Sequence, residues 1–82
     1  MANLSLEALQ RVTLAALRER AALEHTLQQM DPESDDAHEL GDELVQMIKV
    51  EGELYDAYTE ALAASDVAFP SWDDLVEAVE AG

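Results

Sequence analysis

Residues Asp35 to Ser65, DDAHELGDELVQMIKVEGELYDAYTEALAAS, contain no proline and repeat their apolar side chains with the period of a helix. Leu40, Leu44, Met47, Ile48, Leu54, Tyr55, Tyr58, Ala61 and Leu62 recur at separations of three, four and seven, which puts them on one face at about 100° per residue. Asp42, Glu43, Glu53, Asp56 and Glu60 fall outside that stripe. The reading is one long amphipathic helix over residues 35–65. One acid breaks the pattern. Glu51 projects into the stripe, where an unpaired carboxylate needs a partner, a water or an exit to solvent, because burying it alone is costly.

Upstream, Asn3 or Ser5 offers an N-cap for a first helix that runs over residues 5–29. Its main face collects Leu6, Leu9, Val12, Ala16, Leu17, Leu23, Leu27 and Met30, with Arg20 inside it. Leu14 and Ala21 lie off that face, as a second small contact surface would require. Between the two helices, Met30-Asp-Pro-Glu-Ser-Asp-Asp36 is the sharpest break in the chain. Pro32 disfavours helical geometry at Asp31, and Ser34 or Asp35 supplies a new cap. So short a connection predicts an antiparallel hairpin. Closing it around residues 31–35 sets Leu27 beside Leu40, Leu23 beside Leu44 and Arg20 beside Met47. Glu51 then lies about one turn beyond Arg20, roughly 5 to 6 Å along the axis. An arginine side chain spans that gap, so an Arg20–Glu51 ion pair is expected, within one chain or across a dimer.

Downstream, Pro70 prevents simple continuation of the long helix. Ser71 followed by Trp72-Asp73-Asp74 reads as a cap with acids in the first turn, Asp74 standing where a capping box places its carboxylate. Trp72, Leu75, Val76 and Val79 give a short third helix, over residues 71–80, a complete apolar face. Val67, Phe69 and Trp72 are expected to plug the end of the hairpin where the first helix begins. The fold class is therefore all-α, a single domain over residues 1–82 built as an antiparallel hairpin plus a short C-terminal helix. Wide apolar faces that the third helix covers only in part make a homodimeric four-helix bundle the expected assembly, with a compact monomer as its competitor. Gly41, Gly52 and Thr59 mark one edge of the long helix; the glycines there fit a kink as well as a close helix contact, and the acid-free edge is one place for a second copy to pack.

The chain has 19 acids against four Lys and Arg, a net charge of −15. Residues 1–30 are neutral overall, whereas residues 31–82 hold sixteen acids and Lys49 alone. Direct binding to nucleic acid or to an anionic membrane is disfavoured by that half. A basic protein partner would be steered toward it. There is no cysteine, and therefore no disulfide or thiolate site. No signal peptide and no membrane span is expected, so the expected location is cytoplasmic.

The residues offer no catalytic constellation. Ser5, Ser34, Ser65 and Ser71 stand at helix boundaries, where capping accounts for them. Asp31, Glu33, Asp35 and Asp42 occupy calcium-loop positions 1, 3, 5 and 12, but Pro32 interrupts the loop, Asp36 replaces the required glycine, and Asp42 is too short to ligate as a bidentate glutamate does. Neither His25 nor His38 closes the Glu-x-x-His pattern of a di-metal bundle, and His38 with Asp42 makes only two ligands. No enzyme activity, metal or cofactor is expected. Two functions fit. The first is a protein-interaction module, an adaptor, small chaperone or regulatory subunit offering a helix groove to an amphipathic partner. The second is an acidic decoy or immunity-type inhibitor that places Asp42, Glu43, Glu53, Asp56 and Glu60 in the basic groove of another protein.

Overall fold

A computed structural model describes residues 4–81 and is all-α in that span. Helix α1 covers Leu6–Gln28, α2 covers Asp35–Ala64 and α3 covers Trp72–Ala81, each within two residues of the expected bounds. Local chemistry explains the boundaries. Ser5 caps α1 by accepting a hydrogen bond from the Ala8 amide, and Ser34 caps α2 by accepting one from Ala37. Asn3, the other expected cap, lies outside the described residues. The Asp31 carboxylate accepts from the Glu33 amide and its carbonyl accepts from Ser34, folding the Pro32 segment into a tight turn. At α3 the Ser71 amide donates to Asp74 Oδ2 while the Asp74 amide donates to Ser71 Oγ. That reciprocal pair is a capping box with aspartate in the acid's place.

α1 and α2 pack antiparallel, and α3 lies in the groove they leave at the N-terminal end of α1 and the C-terminal end of α2. Leu9, Leu17, Tyr58 and Leu75 form the buried core there, with Leu6, Leu14, Leu62, Trp72, Val76 and Val79 packed around it. Leu14 and Ala21 belong to the second face of α1, which meets α3. Tyr58 is fully buried, and its hydroxyl donates to the Pro70 carbonyl at 2.6 Å. Trp72 stands edge-on to Tyr55, ring centres 5.2 Å apart and planes at 88°. The tyrosine pair therefore fixes how the chain turns back into α3.

The loop half of the hairpin is built differently. Between Leu17 and Tyr58 the only buried residue is Ala37. α3 has ten residues, about 15 Å of helix, and does not reach that far. Two helices alone leave Leu23, Leu27, Met30, Leu40, Leu44 and Met47 only partly buried. Four residues expected in the core are not buried there. Val12 and Ile48 lie on edges of their stripes that no third helix covers and are 44% and 52% exposed, and Tyr55 stays 47% exposed with only Trp72 against its ring. Val67 does not plug the hairpin. It is exposed, its amide held by Ser65 Oγ in the turn that leaves α2.

Candidate functional site

The ion pair at the middle of the hairpin is made within the chain. Arg20 Nε donates to Glu51 Oε1 across the helix interface, and Nη1 donates to Glu24 Oε1 one turn along α1. Both Arg20 and Glu51 are mostly covered, so the pair is shielded from screening by salt. The hydrogen bond that Arg20 donates to Glu51, and after it the one donated to Glu24, holds the guanidinium pKa above its ordinary value against the opposing effect of burial. This arrangement sets the axial register of α1 against α2. It is structural chemistry.

The acidic residues of α2 fall into two groups. Taking the inward direction from Leu40, Glu51 and Tyr58, a rotation of about 100° per residue carries Asp42, Glu53, Asp56 and Glu60 onto the side of α2 opposite α1, within about 60° of one another. All four are exposed, and no ion pair neutralises them among the described residues. Glu43 does not join them. It turns about 100° away from Asp42 and lines a shallow hollow near the loop with Met30, Asp36, Glu39 and Leu40. Asp36 and Glu39 were not singled out by sequence reasoning. Their signal was the three- and four-residue spacing of Asp36, Glu39 and Glu43, the same helical period that located the apolar stripe.

The hollow therefore has an apolar floor, Met30 and Leu40, under a rim of three carboxylates. That combination suits an amphipathic segment with basic residues along its polar edge. A flat row of carboxylates such as Asp42, Glu53, Asp56 and Glu60 attracts basic surfaces without offering them apolar contact. Among the described residues no group of three or more His, Asp or Glu side chains is arranged to hold a metal ion. No helix among them is long and apolar enough to cross a membrane. The chain matches no protein-family model, no curated protein and no solved structure.

Proposed function

We propose that this chain is a cytoplasmic, non-enzymatic interaction module, an adaptor, small chaperone or regulatory subunit that receives a basic amphipathic helix of a partner protein. The observation that carries the reading is the unfinished loop half of the hairpin, where six large apolar side chains are only partly buried between two helices and carboxylates rim one side. A partner helix laid there would supply the third element that α3 supplies at the other end. Self-association of the chain belongs to the same proposal. The second reading, an acidic decoy, draws its support from the unpaired row of Asp42, Glu53, Asp56 and Glu60.

Salt separates the two. A partner captured from lysate, purified and rebound to the chain is tested at about 0.1 M and about 1 M salt, where screening lengths differ roughly threefold. The module holds its partner at high salt and loses it on Leu40→Asp. The decoy releases at high salt and loses its partner when Asp42, Asp56 and Glu60 are all changed to Lys, with Leu40→Asp silent. A partner that responds to neither set of changes would sink both readings.

A further inference from the structure

α2 carries nine acids, yet none falls within a sector of about 120° that holds Gly41, Val45, Ile48, Gly52, Tyr55 and Thr59. This sector lies on the opposite side of the hairpin plane from the hollow lined by Glu39 and Glu43. It is open: Val45 and Ile48 are 50% and 52% exposed, and a Cβ added at Gly41 or Gly52 would meet nothing within 4 Å. α3 leans toward α1 at its C-terminal end, where Val76 and Val79 face Leu17 and Ala21, and so leaves residues 41–52 of α2 uncovered.

The surface of the molecule shows how much cover is missing. Its accessible area is 5925 Å², against about 4,900 Å² for a folded monomer of 9.0 kDa. The excess, about 1,000 Å², compares with the roughly 800 Å² that each partner contributes to a standard protein interface. The chain is also extended, with a radius of gyration of 14.8 Å where about 12 Å suits its length.

We infer that the acid-free edge of α2 is the interface of a two-fold homodimer in which the α2 helices of two copies pack antiparallel. This rests on the self-association named above and gives it a face and a register. The edge is self-complementary about an axis level with Gln46 and Met47: Gly41 meets the partner's Gly52, Val45 meets the partner's Ile48, and the symmetry repeats both contacts. Glycine against glycine lets the helices approach closely, while Val45 and Ile48 fill the space between them. Charge fits the same register. Lys49, the one cation after residue 30, makes no ion pair among the described residues. It stands beside the edge and comes level, within about 3 Å along the axis, with the partner's Asp42. Two such pairs form, one on each side of the axis. The same register also brings Asp42 within about 3 Å along the axis of the partner's Glu53, and Asp35 within about 3 Å of the partner's Asp56, solvent-exposed like-charge pairs that salt screens.

The test is sedimentation of the full chain over a concentration series, with circular dichroism confirming that each exposed-site variant keeps its helices. The wild-type chain is expected at twice the 9.0 kDa chain mass, and Ile48→Glu is expected to be monomeric. Lys49→Asp and Asp42→Lys are each expected to weaken the dimer about tenfold, since each turns two attractive rim pairs repulsive. The double variant Lys49→Asp with Asp42→Lys is expected to return within about threefold of wild type. A wild-type chain that stays monomeric to about 1 mM overturns self-association itself. A dimer indifferent to Ile48→Glu leaves self-association standing and overturns this face. A dimer broken by Ile48→Glu but not rescued by the double variant overturns the register.

Discussion

Arg20 and Glu51, 31 positions apart in the chain, meet side chain to side chain across the hairpin, Arg20 Nε donating to Glu51 Oε1. The contact is possible only if α1 and α2 are in one particular axial register. A shift of one turn, about 5.4 Å, would strand Glu51 among apolar neighbours. The pair therefore stabilises this register chiefly by making others worse.

Removing one partner should cost more than removing both. Arg20→Leu leaves the Glu51 carboxylate mostly covered and unpaired, and is expected to destabilise the chain by about 2 to 3 kcal/mol. Adding Glu51→Leu should recover at least half of that loss, giving a coupling of about 1 kcal/mol or more in a double-mutant cycle. Urea unfolding of the four proteins measures it. Marked stabilisation by Arg20→Leu alone would show that the pair contributes nothing to the fold.

Tyr58 ties α2 to the segment that leads into α3. Tyr58→Phe removes the donor to the Pro70 carbonyl and keeps the ring, so a loss of about 1 to 2 kcal/mol is expected, together with a changed Trp72 fluorescence as the turn loosens. Burial first, and the nearby Asp74 charge second, push the Tyr58 pKa above its ordinary 10.0. The unfolded chain therefore loses this proton before the folded chain does. Stability from this group is full below pH 10 and falls as pH rises past it. Alkaline unfolding should be shallower in Tyr58→Phe, and an unchanged slope would remove Tyr58 from the account.

Much of this was legible from residue order. Pro32 and Ser34 mark the turn, Ser71 with Asp74 marks the third helix, and counting 1.5 Å per residue from the turn brought Arg20 within reach of Glu51. What periodicity could not supply was coverage. It placed Ile48 and Tyr55 in the same stripe as Tyr58, yet Tyr58 is buried and the other two are about half-exposed. A stripe more than 100° wide faces two neighbours, and α3 is too short to serve the whole length of α2. The Tyr58 to Pro70 hydrogen bond was equally invisible, since it depends on the path of an irregular segment. For the acidic surface, the sequence reading put Glu43 with the outer carboxylates although its spacing places it with Asp36 and Glu39; which side of the hairpin each group takes follows only when the direction of α1 is known.

Thr13 is fully buried on α1, and its hydroxyl has no hydrogen-bond partner. Valine has the same shape without the polar atom. Thr13→Val is expected to stabilise the chain by about 1 kcal/mol, because it removes an unsatisfied buried group and leaves packing intact. Thermal unfolding tests this directly. A loss of stability would mean that the hydroxyl is satisfied in solution by a bound water or by a backbone carbonyl.

Asp56 lies one turn from Glu53 on one side and from Glu60 on the other, so three like charges follow one another on the outer face of α2, with Lys49 on that face one turn before Glu53. Asp56→Lys converts two repulsive neighbours into attractive ones. Each such pair changes helix stability by a few tenths of a kcal/mol, so the variant should be more stable by about 0.5 to 1 kcal/mol. At a net charge of −15, the wild-type chain should also gain stability from about 0.01 M to 0.3 M salt, and Asp56→Lys should gain less. Thermal melts at the two salt concentrations read both effects. If the carboxylate row binds a basic partner, the same substitution must weaken that complex while strengthening the fold. Affinity and stability moving in opposite directions would mark the row as a binding surface held at a cost to stability. Affinity unchanged beside a more stable fold would leave the row as a solubilising surface and remove the decoy reading.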